Sequence, residues 1–113
     1  MELTTQEIGD VTVVLPAGPH LDAGNYRDFK DALLPIVRDN AKVILDLQNI
    51  QYMDSSGIGA ILSSLRGSQE CNNELRLCNT AKPVQVIFQL VRLEQIAAID
   101  ETREASLAAL SGA

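Results

Sequence analysis

Ser55 and Ser56 are the side chains best placed for chemistry in this chain. They lie within Tyr52-Met53-Asp54-Ser55-Ser56-Gly57-Ile58-Gly59, just after the apolar run Lys42–Leu47. Ile58, Ile61, Leu62 and Leu65 follow at the i, i+3, i+4, i+7 spacing of a buried helical stripe. That spacing predicts a helix over residues 56–69, so the serine pair sits where a loop becomes a helix. The first backbone N–H groups of a helix lack intrahelical partners, and the aligned peptide dipoles favour negative charge there. A phosphate at this point is electrostatically tolerated and changes the surface by up to about two negative charges. A regulatory phosphoserine therefore ranks ahead of a catalytic serine.

A plainer use of these residues is capping. A serine or aspartate at a helix start is worth about 1 kcal/mol, and Asp54 can do that work as well as either serine. Three consecutive capping-type residues exceed what one cap requires. Gly57 and Gly59 in the first turn each cost roughly 1 kcal/mol against alanine, which points to close approach of another backbone or a ligand. Tight packing of the helix on a sheet is the structural alternative. Ser56, Ala60, Ser63 and Gly67 recur at i, i+4, i+7 and i+11, with Gly59 and Ser64 beside them. An exposed face is ordinarily filled by charged helix formers. A face of small residues is expected to admit a partner protein, beginning at Ser56, unless the domain covers it itself.

Enzymatic readings fare poorly. No G-x-S-x-G elbow surrounds Ser56. The single histidine, His20, lies between Pro19 and Leu21, and nothing in the sequence folds it against the serines. Gly57-Ile58-Gly59 lacks the spacing and lysine of a phosphate loop. No His, Cys, Asp or Glu cluster has metal-ligand spacing, and no cofactor is expected.

The elements that must position the serine loop follow from pattern. Residues 2–8 and 11–16 read as two strands joined by Gly9-Asp10. Pro16-Ala17-Gly18-Pro19 breaks the second. Asp22 is an expected N-cap for a helix from Ala23, with Tyr26, Phe29 and Leu33 inward and a kink at Pro35. Residues 42–47 form a strand apolar at successive positions, so covered on both faces. Leu75, Leu77 and Cys78 mark another strand. Thr80 and Pro83 open a helix with Val84, Ile87, Phe88 and Val91 inward. Residues 96–99 form a last strand, and Asp100-Glu101-Thr102 opens a helix with Leu107 and Leu110 inward. The order β-β-α-β-α-β-α-β-α implies an α/β fold, a mixed, mostly parallel sheet of about five strands packed with about four helices.

The 113 residues fit one domain spanning 1–113. With 46% apolar residues and 4% aromatics, the core is aliphatic. A net charge of −6 and no basic cluster argue against nucleic acid and for a protein partner. No apolar run approaches the roughly 20 residues that span a bilayer, and the start Met1–Glu7 lacks a signal-peptide core. Cys71 and Cys78 match no redox or zinc motif and are expected as reduced thiols in or near the core. A cytoplasmic protein is expected.

Element order and serine loop together resemble STAS domains, most closely the stand-alone bacterial anti-sigma factor antagonists. The likeness rests on Leu45-Asp46-Leu47 followed by Tyr52–Gly59, on Gly18 to Leu21-Asp22, and on the Leu75–Asn79 strand leading to the Pro83–Val91 helix. It covers essentially the whole chain. The resemblance implies that Ser56 is a phosphoacceptor, within a loop of Asp54, Ser55, Gly57, Ile58 and Gly59. It implies an anti-sigma factor that is a serine kinase as partner, a sigma factor released when Ser56 is unphosphorylated, and a PP2C-type phosphatase that resets the switch. Asp22 then lies near the loop, with Ala60, Ser63, Ser64 and Gly67 on the partner face. The free protein is expected to be a monomer without membrane insertion. Pro19-His20 departs from the single polar residue that many relatives carry before Leu-Asp. Two other readings remain open: a subunit of an ABC-type lipid transport system, docked on its ATPase, and a relay in a larger stress-signalling complex.

Overall fold

The computed structural model describes residues 1–111. Strands β1 (Leu3–Ile8) and β2 (Val11–Pro16) form an antiparallel hairpin in which Ile8 faces Val11. Gly9 in the turn has φ +60, a conformation that costs glycine nothing. A two-residue strand, β3 (His20–Leu21), precedes helix α1 (Tyr26–Asp39). Then come β4 (Lys42–Asp46), the short β5 (Tyr52–Met53), α2 (Ser55–Glu70), β6 (Glu74–Cys78), α3 (Lys82–Leu90), a 3-10 turn at Leu93–Gln95, β7 (Ala98–Asp100) and α4 (Arg103–Leu110).

The main sheet has the order β1-β2-β4-β6-β7, parallel everywhere except the first hairpin. Its two faces carry different covers, as the successive apolar positions of residues 42–47 require. Val43 and Leu45 point to the side of α1, α2 and α3, into a core with Phe29, Leu33, Ile61 and Phe88. Ile44 points to the other side, with Val11, Val13 and Cys78 under Leu110 of α4. At the end of β4, Asp46 is fully buried. Its carboxylate accepts hydrogen bonds from Asn79, Gln48 and Arg103, at 2.9–3.1 Å. Buried polar groups persist only when so satisfied, and here the set ties β4, α4 and the turn after β6 together.

Several boundaries differ from the sequence expectation. Helix α1 begins at Tyr26, with Asn25 at its N-cap position and no side-chain capping bond. Asp22 is not the cap: its Oδ1 accepts from the N–H of Gly24, 2.9 Å away, in a local turn before the helix. The expected continuation past Pro35 is present: the helix runs on to Asp39, and the burial of Val37 shows what holds it. Val91 is 50% exposed, because α3 ends at Leu90 and Arg92 turns the chain with φ +54. The last strand lies at 98–100, since Ile96 and Ala97 close the preceding 3-10 turn. Cys78 is buried, but Cys71 is exposed beyond the end of α2.

Candidate functional site

A second, two-stranded sheet builds the serine loop. Strand β3 pairs in parallel with β5, His20 opposite Tyr52 and Leu21 opposite Met53. Three further backbone bonds extend the seam: Pro19 O accepts from the N–H groups of Gln51 at 2.7 Å and Tyr52 at 3.3 Å, and Leu21 O accepts from Asp54 N–H at 3.4 Å. Pro19-His20 is therefore absorbed as the first half of this ladder. The seam lays residues 19–23 against the start of α2.

Asp54 joins the two segments. It is the N-cap of α2, and its Oδ1 accepts from the N–H groups of Ser56 (2.9 Å) and Gly57 (3.2 Å). Its Oδ2 accepts from Ala23 N–H at 3.2 Å. Because aspartate takes the capping work, the hydroxyls of Ser55 and Ser56 are not spent on it. Ser55 is exposed and Ser56 half-buried. Gly57 is fixed by packing: a Cβ there would lie 2.4 Å from Leu21 O and 2.7 Å from Met53 Cγ. Ile58 is buried in the core below.

The small-residue face of α2 divides. Ala60 and Ser64 are buried, and Gly67 lies against α1, where a Cβ would be 2.8 Å from Leu34 Cδ2. Ser64 Oγ donates to Ala60 O at 2.9 Å. Ala60, Ser64 and Gly67 are thus buried within the domain rather than displayed as an open partner face, contrary to expectation, and Ala60 adds only to the wall of one depression. Small side chains here let two helices of the same chain lie close. Ser56, Gly59 and Ser63 remain outside that seam. They line a depression of about 280 Å³ with Ala60 and with Tyr26 and Lys30 of α1.

Lys30 and Tyr26 were not among the expected site residues. A signal for Lys30 exists in the sequence: Tyr26, Arg27, Leu33 and Leu34 stand three and four residues away, so no helical neighbour is acidic. Asp22 lies at the edge of the site, tied to Gly24 and to Asn25, whose Oδ1 accepts from its N–H at 2.9 Å. His20 Nε2 is 3.9 Å from Asp22 Oδ2, so the imidazole is turned to that carboxylate.

Among the described residues, no helix is long and apolar enough to cross a membrane. Known proteins agree on one architecture. The chain is 25% identical to the anti-sigma-B factor antagonist of Staphylococcus aureus over 105 residues, covering 92% of this chain and 94% of that protein. It superposes on a crystal structure described as a putative anti-sigma factor antagonist from Thermotoga maritima with TM-score 0.89 and 20% identity, covering 96% and 94% of the two chains. The phosphorylated form of the Bacillus cell fate determinant SpoIIAA superposes with TM-score 0.70 and 18% identity, covering 96% and 99%. The STAS domain family model matches residues 2–106, from the hairpin through the serine loop to the first half of α4, and the chain belongs to that family.

Proposed function

We propose that the protein is an anti-sigma factor antagonist switched by phosphorylation of Ser56. The observation that carries this reading is the division of labour at the start of α2: Asp54 makes the cap, which leaves the half-buried Ser56 hydroxyl uncommitted. The names of the similar proteins support it, and one of them is known in a phosphorylated form. In the forward step the γ-phosphoryl group of a nucleoside triphosphate moves to Ser56 Oγ, the hydroxyl proton leaves, and the diphosphate departs. The kinase is the anti-sigma factor itself. Unmodified, the antagonist holds the kinase and a sigma factor is set free; phosphorylated, it lets go. Hydrolysis by a PP2C-type phosphatase restores the hydroxyl. The role is regulatory rather than catalytic, with His20 engaged at Asp22, and the place of action is the cytoplasm.

Electrostatics supports the switch. A dianion added to a packed contact imposes desolvation and like-charge repulsion, and about 3 kcal/mol shifts a binding equilibrium more than a hundredfold. Tagged Ser56→Ala is expected to co-purify with a serine kinase from its own cells, and Ser56→Asp to lose it by a hundredfold or so. Equal retention by both variants contradicts the mechanism. Recovery of a transporter ATPase in place of a kinase favours the lipid-transport reading.

A further inference from the structure

Packing explains only one of the two glycines in the first turn of α2. Gly57 cannot carry a side chain, but a Cβ on Gly59 would meet nothing within 4 Å. Glycine in a helix is nonetheless less favourable than alanine, so packing gives no reason for Gly59. What its missing side chain leaves open is the depression between α1 and α2. Lys30 is the one charged side chain lining that space. It is half-buried, and no carboxylate lies within ion-pair distance of it among the described residues. In a chain of net charge −6, an unpaired lysine lining the same hollow as the Ser56 hydroxyl is a cation placed for an anion.

The neighbouring charges sharpen this. Asp54 stands against any anion on Ser56, since its carboxylate is 2.9 Å from the Ser56 nitrogen. Asp22 lies close by, with His20 3.9 Å from its carboxylate. Arg27 turns to Tyr26, donating from Nε to the phenol oxygen at 3.0 Å. Lys30 is the cation left to offset Asp54.

We infer that the depression is a phosphoryl-receiving subsite: a phosphate on Ser56 Oγ turns into the space left by Gly59 and pairs with the Lys30 ammonium. The inference rests on the phosphoserine reading above and adds what that reading lacks, a built counter-charge. It also gives phosphorylation a steric effect, because the phosphate fills a hollow open in the unmodified protein.

The test installs phosphoserine at position 56 during translation, with no kinase involved. The second ionisation of the phosphate is then followed by ³¹P NMR in the full chain. A neighbouring cation favours the dianion. The second pKa, ordinarily near 6, is expected roughly half a unit or more lower in the otherwise unaltered protein than in Lys30→Gln. Lys30→Arg is expected to keep the low value. Gly59→Leu, whose side chain occupies the depression, is expected to lose it. Equal values in the unaltered protein and a folded Lys30→Gln overturn the inference. Should Lys30→Gln not fold, an unchanged value in Gly59→Leu does the same. If the kinase reading fails, Ser56 carries no phosphate in cells, an outcome that leaves this titration untouched.

Discussion

Asp54 and the two glycines show how single residues divide the tasks of the loop. The serine pair, the aspartate before it and the glycines after it are all legible as sequence, but their roles are not. Asp54, Ser55 and Ser56 are all capping types, and only geometry shows that Asp54 makes the cap and Ser56 is left over. The glycines look equivalent in the string and are opposites in space. Gly57→Ala is expected to destabilise the fold by roughly 2 kcal/mol or more, because its Cβ would press on the Leu21 backbone 2.4 Å away. Gly59→Ala is expected to raise stability by up to about 1 kcal/mol, having open space around it. Urea unfolding of the two variants measures both effects, and a loss of stability in Gly59→Ala would show that the fold itself needs that glycine.

At the scale of elements, the long periodic segments were readable and the short ones were not. Stripes such as Phe29-Leu33-Val37 and Ile58-Ile61-Leu65 bury as their spacing predicts, since a helix of three or more turns repeats its signal. Strands β3 and β5 have two residues each, too few for any period, and yet they seat Asp22 and Ala23 beside Asp54. The small-residue face of α2 was visible but ambiguous. Smallness permits close approach without saying whose: α1 takes Gly67, and Ala60 and Ser64 are buried within the same domain. The edge strand β7 is held partly by charge. Arg76 of β6 donates from Nε to Asp100 Oδ2 at 2.8 Å, and Ser106 of α4 donates to the same oxygen at 2.6 Å. The Arg76 hydrogen bond chiefly holds the Asp100 carboxyl below its usual range, against the opposing effect of burial. A carboxyl depressed in the folded state contributes stability above its unfolded pKa of about 4, and loses it as pH falls through the lower folded value. Stability is thus expected to decline from about pH 4 downward, and Asp100→Asn to be less stable at neutral pH with a shallower acid decline. Urea midpoints from pH 3 to 7 check this; an equally steep acid decline in Asp100→Asn would remove Asp100 from the account.

For the molecule as a whole, the serine loop and the second sheet sit together at one end of the parallel strands. Both follow from the chain leaving the carboxyl end of β4, where open α/β sheets generally form their binding sites. The order of elements was readable because each crossover helix carries its own stripe. The meeting of α1 with the serine loop was not, because a tertiary neighbour such as Lys30 leaves little trace in local spacing. The acidic surface and the uncommitted hydroxyl favour a protein partner and a modification over a reaction at this site. The central claim is that Ser56 carries phosphate as a signal. Mapping phosphosites on the protein purified from its own cells, with phosphatases inhibited, during growth and under stress, tests it most directly. Phosphate on Ser56 whose occupancy changes between the two conditions is the predicted result. Protein unmodified at Ser56 in every condition would contradict the account and leave a constitutive docking role in its place.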